Sequence, residues 1–228
     1  MSRPSPTPEN PTYPVTERSR ARRLHKRASH EAAAVHAVLD AAPLCHVGYV
    51  IDGQPYVTPT IHWRQGERVY WHGSAASRFL RKVEGARVCL TVSLMDGYVL
   101  ARSAFNHSVN YRSAMVFGTA QIVEEPDAIA EALRRFTDGL FPGRWDTLRP
   151  MTVPELKGTS VLYLDIEEAS VKTRSAPPGD DDDADYPVWA GVLPMETRLG
   201  KPQPAPDLTQ GIALPEGLAD LVSSGRLR

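Results

Sequence analysis

From Leu44 onward the apolar positions mostly alternate with polar ones; in two places, one before Leu44 and one after Glu125, they instead recur every three to four residues. Alternation places side chains on opposite faces of a strand, whereas the longer spacing places them on one face of a helix. LCHVGYVI (44–51), QPYVTPTIHW (54–63) and ERVYWH (67–72) read as a meander of strands. Asp52-Gly53 supplies a hairpin turn, because both central positions of such a turn need positive φ, and Gln65-Gly66 supplies the next. RVCLTVSL (87–94) is a further strand, Asp96-Gly97 predicts another tight turn, and YVLARSA runs back. YRSAMVFGTAQIVEE (111–125) and SVLYLDIEEASVKTR (160–174) read as two long strands. The helical segments are HEAAAVHAVLDAA (30–42), with Ser29 as N-cap and Val35, Val38 and Leu39 on one face, and PDAIAEALRRFTD (126–138), with Pro126 at its entry. Many short strands with two or three helices predict a mainly β, α+β fold built round a small antiparallel barrel.

The ends of the chain differ in texture. Residues 1–15 are Pro-rich and polar and read as a disordered lead-in. Residues 16–175 form the barrel domain. PPGDDDDADYP (177–187) is an acidic linker, the apolar VWAGVLP follows, and the remainder to 228 is a Pro-rich tail expected to pack on the barrel or on a dimer partner.

Composition narrows the class. With 228 residues, 42% hydrophobic, the chain suits one domain of ordinary size. The net charge of −1 argues against a polyanion binder, so the basic run TERSRARRLHKR (16–27) reads as a solvated or partner-binding segment and nucleic acid is not the expected ligand. Cys45 and Cys89 lack CxxC spacing and read as reduced thiols, and no apolar run reaches membrane-spanning length; both point to a cytoplasmic protein. The histidines do not fall at metal-binding spacings, so no metal site is expected.

The segment with the clearest chemistry is HGSAASRFLRK (72–82). A phosphate group needs close backbone approach, hydroxyls and a guanidinium. Gly73, Ala75 and Ala76 allow the approach, Ser74 and Ser77 carry hydroxyls, and Arg78, Arg81 and Lys82 carry charge. The same residues also suit a helix cap with solvated cations. FNHSVNYRS (105–113) gathers His107, Asn110, Tyr111 and Arg112 between two strands, which suits a substrate mouth or a loop satisfying its own backbone. Lys172 and Arg174 share a strand face; Lys172 suits an anionic ligand, and Arg174 a solvent-facing edge.

Taken in order, IDGQPYVTPTIHW, RQGERVYWHG and SAASRFLRKV resemble the flavin-binding split barrel of the pyridoxamine 5′-phosphate oxidase superfamily. DGYVLARSAFNHSVNYRSAMVFGTAQIVEE, FPGRWD and VWAGVLP are similar to its nitroimidazole-reductase-like branch, so the resemblance runs over roughly residues 16–195. It implies a six-stranded antiparallel split barrel with flanking helices, forming a homodimer with FMN at the interface. On that reading Ser77 and Arg78 hold the phosphate, with Ser74 and Lys82 as helpers, and Val57, Thr58, Pro59 and Thr60 pass beside the isoalloxazine ring. His62 is the candidate catalytic proton donor or substrate contact. Tyr111 and Arg112 fall where that family places cofactor or interface contacts. Lys172 suits the charge that develops on the flavin, and Trp189 stacks on the ring, closes the interface or anchors the tail. The implied activity is an FMN-dependent oxidoreductase passing electrons from NAD(P)H to a small organic acceptor. The alternatives are a split barrel holding deazaflavin or haem, or a non-catalytic flavin- or nucleic-acid-binding protein.

Overall fold

The computed structural model describes residues 11–23, 25–180 and 183–225. One antiparallel sheet curls round the core as a half-barrel, with strand order β1-β9-β6-β5-β2-β3-β4-β8-β7. In chain order the first elements are β1 (Ala28–Ser29), α1 (Ala32–Asp40), β2 (Leu44–Ile51), β3 (Gln54–Gln65), β4 (Arg68–Ser74), α2 (Arg78–Val83) and β5 (Arg87–Leu100). There follow β6 (Ser108–Thr119), β7 (Gln121–Ile122), α3 (Pro126–Leu140), α4 (Val153–Lys157), β8 (Thr159–Asp165), β9 (Glu168–Arg174), β10 (Gly191–Pro194) and α5 (Glu216–Ser224). The sheet therefore has ten strands among the described residues rather than six. The larger number comes from two-residue strands at both edges, from the division of residues 160–174 into β8 and β9, and from β10, which pairs with the last four residues of β5.

The alternation of β2 is the alternation of the sheet. Cys45, Val47, Tyr49 and Ile51 point into the core, and Leu44, His46 and Val50 point out. The core joins Val35 and Leu39 of α1 to Val47, Trp71, Leu90, Val116 and Leu164, all shielded from solvent. A second apolar cluster, Trp63, Ala132, Leu133 and Val161, lies under α3. The hairpin turn is as expected, with φ of 52° at Asp52 and 75° at Gly53.

Two strand expectations are corrected. Asp96-Gly97 is not a turn: β5 runs straight through it, with a bulge between Met95 and Gly97. The glycine is needed for proximity instead, since a Cβ at Gly97 would lie 2.7 Å from the Leu193 carbonyl oxygen of β10. Residues 160–174 are not one strand either. The chain breaks at Ile166 and Glu167, whose amides donate to the carbonyls of Glu67 and Phe117, so that β8 pairs with β4 and β9 with β6.

The ends are also more ordered than their composition suggests. Residues 1–10 of the expected lead-in lie outside the described residues. From residue 11 the chain belongs to the barrel: Thr12 bridges to Glu31, and Tyr13 is buried, its hydroxyl donating to Glu67 at 2.5 Å. Beyond it, Thr16 and the Arg18 guanidinium both hydrogen-bond the buried Glu168 carboxylate. Downstream, β10 lies against β5, and α5 packs so closely on the loop after α3 that a Cβ at Gly217 would meet the Pro142 carbonyl oxygen at 2.3 Å. Of the acidic run, two residues (181–182) lie outside the described residues, whereas Asp180 is buried and accepts the Arg102 amide at 2.6 Å. No helix among the described residues is long and apolar enough to cross a membrane.

Candidate functional site

The phosphate-like segment sits where β4 passes into α2. The loop is tied to the end of α4 and to itself: the Ala75 amide donates to the Gly158 carbonyl, the Ala76 amide to Ser74 Oγ, and the Ser77 amide to the Ser74 carbonyl. Ser77 occupies the N-cap position of α2, yet its hydroxyl makes no capping bond. The first amides of α2 and the Ser77 hydroxyl are thus left for an external acceptor. Arg78, Arg81 and Lys82 are exposed, and none has a carboxylate partner among the described residues. An uncompensated Arg78 at an uncapped helix start, with Arg81 and Lys82 in the last turn of the same short helix, fits an anionic ligand better than a solvated cap.

Arg78 is also aimed. Its guanidinium lies 5.9 Å from the Tyr56 ring centre. Tyr56 stacks on Tyr49 at 5.6 Å, and Tyr49 on Phe79 at 4.8 Å. Thr58 Oγ1 is 2.9 Å from the Tyr49 hydroxyl. This aromatic column links β2, β3 and α2, and a cation–ring contact of this kind contributes about 0.5–1 kcal/mol at an exposed site. Sequence reasoning missed Tyr49, Tyr56 and Phe79 because they meet only after the hairpin closes.

The four expected ring contacts divide by strand parity. Val57 and Pro59 point out onto an apolar sheet face, Val57 being 68% exposed, and share it with Leu44, Val50 and Met115. Thr58 and Thr60 are partly covered on the other face. His62 has the parity of Thr58 and is 2% exposed. Its Nδ1 and Nε2 each lie 3.0 Å from a backbone carbonyl, of Pro43 and Leu39. With both nitrogens turned to backbone carbonyls on the α1 side of the sheet, to one of which the neutral ring donates, the ring has no access to the outer face, and the expectation of a proton donor there is corrected to that of a buried tether for α1.

Burial holds His62 below the ordinary histidine value of 6.5, against the upward pull of its two carbonyls and Asp40, and burial does the same to His72. The unfolded chain therefore binds more protons than the folded one as pH falls through that value. The stability these groups contribute is complete above it and is lost below it. Urea midpoints measured from about pH 7 down to about pH 5 are expected to fall, and less steeply in His62→Gln. A level midpoint in the unaltered protein would contradict this.

The remaining candidates lie on other strands. Tyr111 is half-buried and opposes Met95. Arg112 makes a two-pronged pair with Asp96, with Nη2 at 2.7 Å and Nε at 2.9 Å. Lys172 is half-buried, opposes Ser113 and has no carboxylate partner among the described residues. Arg174 does not line an exposed edge: β1 covers part of β9, and the Arg174 guanidinium is buried against Asn110 Oδ1 and the carbonyls of Ala176 and Pro177. It latches the start of the tail. Trp189 is 62% exposed and lies over Gly191.

Val57 on β3 and Lys172 on β9 are separated by β2, β5 and β6. Four strand spacings of about 4.8 Å put them about 19 Å apart on one sheet. The structure thus brings Ser74, Ser77 and Arg78 together at the start of α2, with Lys82 one turn on, and puts Tyr111 and Lys172 on one sheet face far from them, while Arg112 has the opposite parity in β6 and is paired with Asp96. A cleft of about 840 Å³ between α3 and β4, β7 and β8 contains none of these residues.

Comparison with known proteins gives a consistent picture. The family model described as pyridoxamine 5′-phosphate oxidase matches residues 31–173. The flavocytochrome Anf3 from Azotobacter vinelandii is 44% identical over 96% of this chain and 100% of its own, with a TM-score of 0.88. The FAD and haem binding protein from Mycobacterium smegmatis is 37% identical over 89% of this chain and 99% of its own, with a TM-score of 0.84. A 5-nitroimidazole antibiotic resistance protein candidate from Bacteroides thetaiotaomicron is 20% identical over 64% of this chain and 85% of its own, at a TM-score of 0.53, and speaks to the fold alone. No curated protein matches the chain.

Proposed function

The chain belongs to the pyridoxamine 5′-phosphate oxidase family, and on that basis we propose that it is a homodimeric flavoprotein oxidoreductase that also carries haem. The observation that carries the flavin reading is the uncompensated Arg78 at the uncapped start of α2, aimed by the Tyr56–Tyr49–Phe79 column. Ser77 and Arg78 hold phosphate oxygens there, with Ser74 and Lys82 beside them. FAD replaces FMN as the proposed flavin, because one relative of high coverage is described as binding FAD and haem and another as a flavocytochrome. Haem enters on the same support.

A bound flavin supplies hydride and single-electron transfer. The chain's own residues bind and orient it. Val57 and Pro59 offer an apolar floor that excludes water, and Tyr111 and Lys172 offer a polar and a cationic group at the far end of the sheet. The separation of the two sets supports a two-fold dimer, in which one copy's Arg78 end meets the other copy's Lys172 end over the exposed apolar face. NAD(P)H as donor and a small organic acceptor remain part of this proposal.

Purification should give a yellow protein. Acid-released flavin whose fluorescence rises on phosphodiesterase treatment identifies FAD, constant fluorescence identifies FMN, and colourless protein that takes up neither sinks the flavin reading. The dimer is tested at its centre. A carboxylate at Val57 would be buried unpaired at the contact, costing at least about 3 kcal/mol. Val57→Asp is therefore expected to elute as a monomer and to lose flavin, whereas unchanged elution as a dimer would remove Val57 from the interface.

A further inference from the structure

The histidines differ in what their ring nitrogens already do. His62 has both turned to buried backbone carbonyls, His36 faces Tyr13 and Glu67, and His72 keeps Nδ1 buried between Trp63 and Phe136. His46 lies on the outer face of β2, beside Pro59, on the side proposed to meet the second copy. His30 has its Nδ1 fixed on the Ala169 carbonyl, where the N-terminal segment crosses β9. His107 is different. It is exposed at the entry to β6, and its Nδ1 lies 2.9 Å from the Ser103 carbonyl oxygen. A carbonyl only accepts, so the neutral ring carries its proton on Nδ1 and its lone pair on Nε2. A ring nitrogen fixed by a backbone carbonyl, with the other turned outward, is the arrangement that presents imidazole to a metal.

The surface beside His107 suits a large flat apolar ligand. Leu193 of β10, Tyr98 of β5 and Val109 of β6 stand opposite one another in register on one face of the sheet. Tyr98 is 50% and Leu193 49% exposed. Trp189 extends this surface over Gly191, which opposes Leu100; the ring leaves so little room that a Cβ at Gly191 would lie 2.9 Å from it. Phe105, two residues before His107, is 96% exposed and adds a further uncovered ring to this apolar surface.

We propose that His107 Nε2 is the axial ligand of the haem, with the macrocycle lying against Tyr98, Leu193 and Trp189 and flanked by Phe105. This assignment rests on the haem reading given above and adds the residue and the surface to it. It also gives FNHSVNYRS a definite role, because the 3-10 turn before β6 (Ala104–Asn106) positions the Ser103 carbonyl that turns the imidazole outward.

The test is haemin titration of the flavin-loaded full chain, followed by the Soret band, with bound flavin as the control for folding. His107→Ala is expected to bind haem at least about 100-fold more weakly, the upper end of what losing an orienting partner alone costs, while flavin content stays level and added imidazole restores the band. His107→Met, which replaces nitrogen with a thioether ligand, is expected to bind with a shifted band. His25→Ala, a solvent-exposed histidine near β1, is expected to match the unaltered protein. If His107→Ala and His107→Met both give the unaltered spectrum and affinity, or if His25→Ala loses the band, the assignment is overturned and the haem reading stands. If the unaltered chain takes up no haem, both fall together, and the flavin content shows whether the flavin reading survives.

Discussion

Arg78→Ala is expected to weaken flavin binding by about 10- to 150-fold, corresponding to about 1.5–3 kcal/mol for the loss of charge-assisted hydrogen bonds to phosphate. The substitution should leave folding nearly unchanged, because Arg78 is exposed and its contact is with the face of Tyr56. Arg78→Lys should fall between the two, since lysine keeps the charge but loses the planar fork and its contact with the ring. Tyr56→Leu should weaken binding by only a few-fold, because the column aims the guanidinium without supplying its charge. Titration of the flavin-free protein with FAD, read by quenching of flavin fluorescence, checks the series. An unchanged affinity in Arg78→Ala would move the phosphate elsewhere, and Arg81→Ala, one turn further along α2, would be the next variant to measure.

Trp71→Ala is expected to lower the unfolding free energy by about 3–5 kcal/mol, the range for removing a buried aromatic from a packed core. Trp71 is fully buried, opposes His62 across β3 and β4, and opposes Leu162 on β8. Its loss would therefore open a cavity between three strands and loosen β4, which carries the Ser74–Arg78 loop. Trp71→Phe should cost much less. The indole Nε1 is buried without a hydrogen-bond partner, so phenylalanine keeps much of the apolar area and removes an unsatisfied donor. Urea midpoints distinguish the two cases. Equal losses in the two variants would mean that the indole nitrogen has a partner, such as a buried water, whose removal costs what the missing ring does.

Some of this architecture was legible residue by residue. In β2 the alternation from Leu44 to Ile51 matches the burial pattern, and Asp52-Gly53 adopts the positive φ that the hairpin requires. The same period argues against a role for His62 on the flavin side. Val57 and His62 are five residues apart in one strand, so the sheet turns them to opposite faces. Asp96-Gly97 carried the same dipeptide as a hairpin turn but served another end. A glycine marks either a positive φ or a close approach, and only the arrival of β10 shows which applies here. The break at Ile166 had no local mark, because its bonds go to Glu67 and Phe117, each remote in sequence.

Periods and dipeptides that act over a few residues were enough to mark the strands of the meander, two helices and the cluster of small, hydroxyl and basic residues after β4, while the family came from the resemblance of the ordered motifs between 44 and 125. Which cations are free is settled at a longer range. Arg112 meets Asp96, Arg18 meets Glu168, and Arg174 is buried under the tail, while Arg78 and Lys172 are left without a carboxylate partner among the described residues. Ion pairing depends on which strands become neighbours, and no short stretch of chain carries that information. The same holds for His107: its place beside Phe105 can be read from the sequence, but the Ser103 bond and the Tyr98–Leu193 surface exist only once β5, β6 and β10 lie side by side.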